Sequence, residues 1–127
     1  MPAITPIYAA LIAILYVALS VKVILQRRSD KISVGDGGSK LMIKAIRTHS
    51  NCAEYAPISL LLIAMVELQG AAGILVHLLG LMLLAGRLLH AYGFGRTPQI
   101  VILRQAGMSL TFLAILGATL ANLILAL

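Results

Sequence analysis

Five polar side chains in the first half of the chain have a spacing that could support binding chemistry. Lys40, Lys44, Arg47, Asn51 and Glu54 are four, three, four and three residues apart, which places them on one face of an α-helix. A second set, Arg87, His90 and Phe94, is spaced three and four apart and marks a face of another helix. Arginine forks bind carboxylates bidentately, and a carboxylate such as Glu54 accepts from an ammonium group. The residues therefore describe a cationic pocket with Asn51 and Glu54 at its floor. Such a pocket suits a small anionic or zwitterionic molecule, peptide-like in carrying both groups. His49, His77 and His90 share no ligand spacing on a common face, so no metal site is expected. The single cysteine, Cys52, has no intramolecular partner and lies a quarter-turn off the polar face, where a small packing residue is expected.

The elements that must position these groups follow from composition. Residues of the hydrophobic set make up 61% of the 127 and charged residues 11%, with a mean hydropathy of +1.02. An ordinary soluble domain is near half apolar and a quarter charged. The chain reads as an all-α membrane protein in one integral membrane domain, 1–127, with no soluble domain and no internal repeat. The formal charge of +6 does not indicate nucleic acid, because the basic residues sit beside apolar runs and not on a face with stacking aromatics.

Four apolar runs are long enough to span, since about 20 helical residues cover a hydrocarbon core of roughly 30 Å. They are expected at 4–25, 41–68, 72–94 and 104–126. The first ends at Gln26-Arg27-Arg28, with its positive charges after the run and not before it, so it is retained and is not a cleaved signal peptide. Gly35-Asp36-Gly37-Gly38 marks the first loop, Gly70 a short second connection, and Gly93, Gly95 and Pro98 the third. Pro57 removes a backbone hydrogen bond to Ala53 and is expected to kink the second span beyond Glu54. Ala9 with Ala13, and Gly117 with Ala121, are small-residue pairs at the spacing that helix contacts use.

Lysine and arginine fix an expected orientation. Arg27, Arg28, Lys31, Lys40 and Lys44 flank the first loop and Arg96 and Arg104 the third, whereas the termini and the Gly70 turn carry none. Both basic loops should face the cytoplasm and both termini the outside. Glu67 and His77 then lie near the opposite surface. Glu54 falls about 20 Å along its helix, too deep to reach water by snorkelling, and needs an internal partner such as Arg47, Arg87 or a neighbouring subunit.

The string Arg47-Thr-His-Ser-Asn51-Cys-Ala-Glu54-Tyr55-Ala-Pro57 strongly resembles the signature of the MAPEG family, the membrane-associated proteins in eicosanoid and glutathione metabolism. The resemblance extends to Arg27-Arg28, to Arg87-Leu-Leu-His90-Ala-Tyr-Gly93-Phe94 with Arg96 beyond it, and to the four-span plan. It covers essentially the whole chain and is nearest to microsomal glutathione transferases and leukotriene synthases. It implies a four-helix bundle assembled as a homotrimer, with glutathione as co-substrate bound in a bent form between subunits. The lipophilic co-substrate would enter from the bilayer. Position by position, Arg27, Arg47, Asn51, Glu54 and Tyr55 match glutathione-binding residues, and His90 and Phe94 stand where eicosanoid-pathway relatives carry tyrosines. Arg28 matches a catalytic candidate, and Arg104 is the only charged residue near the family's thiol-activating arginine.

The implied activity is a membrane glutathione S-transferase, with possible peroxidase action on lipid hydroperoxides, attacking hydrophobic electrophiles. Partners are then other copies of the chain, lipids and hydrophobic electrophiles, with neither nucleic acid nor metal. The loss of two phenols at His90 and Phe94 argues against leukotriene synthesis. Two other readings are a non-catalytic glutathione- or lipid-binding relative, and a small oligomeric transporter using Glu54 as a proton or cation relay.

Overall fold

Pro6 sits in the first turn of a helix, where its missing N–H costs no hydrogen bond, and from there the chain is helical for most of its length. The computed structural model describes residues 1–127 and contains four helices: α1 (Thr5–Asp30), α2 (Lys40–Leu68), α3 (Gly73–Gly95) and α4 (Val101–Ala126). They have 26, 29, 23 and 26 residues, and each is long and apolar enough to cross a membrane.

Two helix ends differ from the sequence expectation. α1 does not stop at Gln26-Arg27-Arg28 but runs to Asp30. Both arginines are good helix formers, and cations in a last turn are favoured by the carbonyl end of the helix. Lys31 then adopts a left-handed conformation, φ 55°, and its N–H with that of Ile32 closes onto the Arg28 and Arg27 carbonyls. α4 begins at Val101, a turn before Arg104, because the apolar Val101-Ile-Leu run is already helical once past Pro98. Ser39 starts α2 by accepting from the Met42 N–H at 3.2 Å. Its hydroxyl donates to Asp30 at 2.6 Å, which ties the end of α1 to the start of α2. Gly70, φ +84°, makes the tight turn to α3. α2 runs as one unbroken helix through Pro57.

The bundle has a definite arrangement. α2 and α3 each pack against all three other helices, whereas α1 and α4 do not touch. The core is filled by Ile12 and Leu19 of α1, Cys52, Ala56, Ile63 and Val66 of α2, Val76, Leu79 and Leu83 of α3, and Ala114 and Ala118 of α4. Burial of Cys52 fits its reading as a packing residue.

Without water to drive helices together, close van der Waals fit holds a bundle in lipid. The closest backbone approach is between α3 and α4, at glycines. A Cβ at Gly86 would lie 2.7 Å from Thr111 Oγ1 and 2.8 Å from the Gly107 carbonyl, one at Gly93 would lie 2.7 Å from the Arg104 nitrogen, and one at Gly107 2.6 Å from the Gly86 carbonyl. Gly117 packs under Leu79. Ala9 and Ala13 line an open groove of about 400 Å³ with Cys52, Ala56, Pro57 and Leu60 of α2.

Candidate functional site

Because α2 carries one polar stripe at the edge of the bundle, a rotation of about 40–80° along it, at about 100° per residue, decides what each side chain meets. Lys44 and Asn51 turn inward. The Lys44 ammonium donates to the Arg96 carbonyl at 2.7 Å and to Thr97 Oγ1 at 3.0 Å, clasping the α3–α4 loop. Arg47 and Glu54 turn outward. Their side chains are 58% and 53% exposed and pair at 3.9 Å. Within one chain, therefore, Glu54 is not buried at a pocket floor. It stands on the outer face, and of the expected partners, Arg47, Arg87 or a neighbouring subunit, it meets Arg47.

Arg87 is the centre of a different set. Only 1% exposed, its guanidinium donates to Asn51 Oδ1 at 2.6 Å, to Thr111 Oγ1 at 2.8 and 3.0 Å, and to Met108 Sδ at 3.3 Å. It also lies 5.5 Å above the Tyr55 ring. Thr111 in turn donates to the Gly107 carbonyl at 2.9 Å, and Tyr55 meets Phe112 edge-on at 5.7 Å. One buried arginine thus ties α2, α3 and α4 together beside two of the expected binding residues. Sequence reasoning missed this role, although an arginine in an otherwise apolar run requires buried acceptors. Thr111 carried no signal, since lone threonines are common in spans.

A third set lies where α3 hands over to α4. The His90 and Phe94 rings stack at 5.6 Å, and the Arg104 guanidinium lies over Phe94 at 4.9 Å, a cation–π arrangement. Gln99 Oε1 accepts from Arg104 at 3.1 Å. Arg104 opens onto a concavity of about 570 Å³ with Val101, Gln105, Met108, Ser109 and Phe112. Met108 and Phe112 are thus shared between this concavity and the Arg87–Tyr55 set. Tyr92, on another side of α3, is exposed and bonded to Arg96, so it does not replace the phenols missing at His90 and Phe94.

Arg27 and Arg28 stand apart from all of these. Arg27 donates to the Gly35 carbonyl at 2.8 Å, and Arg28, exposed, shares a shallow basic concavity with Lys31 and Ser33. They belong to α1 and Arg104 to α4, two helices that do not meet. The expected site residues are therefore brought together within one chain as four groups, not as one pocket.

At the other end of the bundle, Glu67 does more than sit at an interface. Its carboxylate accepts from the backbone N–H groups of Ala3 and Ile4, each at 2.7 Å, and of Thr5 at 2.8 Å. Tyr8 Oη and His77 Nδ1 are 2.9 Å apart beside it. His49 bonds Ser20 of α1 at 3.0 Å.

Four apolar helices, with the charged stripe of α2 confined to its first half, define a multi-pass integral membrane protein. The family model described as "MAPEG family" matches residues 5–124, and the chain belongs to that family. It is 41% identical over 120 residues to the inner membrane protein YecN of Escherichia coli K12, covering 94% of this chain and 90% of that protein. The same figures hold for YecN of Escherichia coli O6:H1 strain CFT073.

Proposed function

We propose that this protein is a glutathione-dependent transferase of the inner membrane, assembled as a homotrimer with its sites between subunits. It activates the glutathione thiol for attack on a lipophilic electrophile, with lipid hydroperoxides among its substrates. The observation that carries the reading is the Arg47–Glu54 pair, half-exposed on the outer face of α2. A peptide-like zwitterion needs such a pair, with the arginine fork for its carboxylate and the carboxylate for its ammonium group. Asn51 and Tyr55 lie within a turn of it. The separation of α1 from α4 supports an intersubunit site, because Arg27 and Arg28 stand in a different group from Arg104 within one chain, and packing one subunit's α1 against another's α4 would bring the groups together.

The chemistry asked of the protein is modest. A free thiol has a pKa of about 8.5 and is mostly protonated at neutral pH. Arginine cannot take its proton, which passes to water, but the fixed charge of Arg104 stabilises the thiolate left behind. Phe94 and Gln99 hold that charge at the mouth of the α4 concavity, and Arg28 is the second catalytic candidate. The thiolate sulfur then bonds to the electrophile's carbon as the leaving group departs with its bonding pair, or to the terminal oxygen of a hydroperoxide as the O–O bond breaks and the alkoxide released takes a proton from water. The basic loops face the cytoplasm and both termini the outside. A proton- or cation-coupled transporter fits less well, because beyond Glu54 the outer stripe of α2 continues as Ile58, Leu61, Met65 and Leu68 and offers no polar path.

The test is a thiolate absorbance titration of detergent-purified protein with glutathione, alongside Arg47→Ala. Saturable binding with a thiolate signal that Arg47→Ala abolishes is the expected result. Binding without thiolate would replace the transferase by a non-catalytic relative. No binding at millimolar glutathione would reject the reading and direct attention to proton flux through Glu54.

A further inference from the structure

Arg87 is a buried cation without an anion. The chain has four acidic residues, and each is engaged elsewhere. Asp30 accepts from Gln26 and Ser39, Asp36 from the Gly38 N–H, Glu67 from the start of α1, and Glu54 faces Arg47. Around the guanidinium are only neutral acceptors: Asn51 Oδ1, the Asn51 carbonyl, Thr111 Oγ1 and Met108 Sδ. Arginine stays charged in proteins, and a charge in a membrane interior is costly unless compensated.

This arrangement fixes the polarity of Asn51. A guanidinium offers donors and no acceptor, so the amide atom 2.6 Å from Arg87 must be oxygen. The amide nitrogen then points away from Arg87, makes no hydrogen bond within the chain and belongs to a half-buried residue. Its N–H groups are further polarised by the guanidinium behind the oxygen.

We propose that Arg87 is a positioning residue that locks Asn51 with its NH2 outward, so that this part of the site recognises an anionic or carbonyl oxygen of the ligand. The ligand's carboxylate supplies the negative charge that the buried guanidinium lacks. The inference deepens the glutathione reading and rests on it.

Asn51→Asp separates this role from packing. An aspartate accepts from Arg87 at least as well as the amide oxygen does, so a purely structural Asn51 would tolerate the change. What it loses is the outward donor, replaced by an acceptor bearing negative charge. Asn51→Asp should therefore unfold in detergent at or above the wild-type temperature yet bind glutathione at least about tenfold more weakly. The second measurement compares glutathione with its diethyl ester, in which both carboxylates are masked. The ester's disadvantage in wild type should shrink in Asn51→Asp.

Unchanged glutathione affinity in Asn51→Asp, or an equal ester penalty in both proteins, would overturn the inference. So would a lowered unfolding temperature, which would mean that Arg87 does not hold the amide by its oxygen. Wild-type protein that fails to bind glutathione at all would instead overturn the reading of the site.

Discussion

Glu54 and Arg104 serve the same proposed ligand by different physics, so replacing each separates binding from activation. Glu54→Gln keeps the shape but removes the charge that accepts from an ammonium group, and should weaken glutathione binding about tenfold. The thiolate formed per bound molecule should be unaltered. Arg104→Ala should do the reverse, leaving affinity near wild type and reducing the thiolate absorbance at saturation. Calorimetry reads the first and the absorbance difference the second. Unchanged affinity in Glu54→Gln removes Glu54 from the site, and a normal thiolate signal in Arg104→Ala removes Arg104 as activator. At this scale the sequence disclosed which residues share a face but not which way the face looks. The spacing of Lys44, Arg47, Asn51 and Glu54 is legible to anyone counting turns. That Lys44 and Asn51 point into the bundle while Arg47 and Glu54 point out depends on where α3 and α4 pack, and no local pattern in α2 encodes it.

The four helices could be read directly from the apolar runs, because in a membrane the backbone must satisfy itself and helix is the default. Their ends and contacts were less legible, since they depend on single long-range bonds. α1 is the clearest case: Ile4 stands at its cap position and provides no side-chain acceptor. Glu67, more than sixty residues away, takes the N–H groups of Ala3, Ile4 and Thr5 instead. A carboxylate at the positive end of a helix combines capping with a favourable dipole interaction. Glu67→Ala should therefore cost about 1–2 kcal/mol, with Glu67→Gln intermediate because it keeps one acceptor. Thermal unfolding in detergent checks the order, and an unaltered midpoint in Glu67→Ala would mean that the contact carries no stability. The small-residue pairs were similarly ambiguous. Gly117 does pack closely against Leu79, but the closest backbone approach uses Gly86, Gly93 and Gly107; of these the sequence marked only Gly93, and as a loop residue, whereas it lies within α3.

Taken as a whole molecule, a single subunit presents a contradiction that another copy would resolve. Glu54 is the midpoint of α2, fourteen residues from either end, and it faces out of the bundle with only Arg47 beside it. Ionised side chains at the centre of a membrane helix cost roughly 2.5–3.5 kcal/mol each on insertion scales, and an ion pair held at 3.9 Å offsets only part of that. Family membership places the chain among four-helix membrane proteins, but the mutual arrangement of subunits is a property of surfaces that no spacing within one helix reveals. If neighbouring copies cover the α2 face, the charges leave lipid, and one subunit's α1 can lie against the next subunit's α4, the two helices that never meet within a chain. Native mass spectrometry of protein extracted in mild detergent should then give a mass three times that of the 13.4 kDa chain. Glu54→Arg, which sets like charges together on the covered face, should shift the population towards monomer. A wild-type dimer would keep the covering argument and reject threefold symmetry. A wild-type monomer would leave Arg47 and Glu54 in lipid and remove the physical case for a shared site.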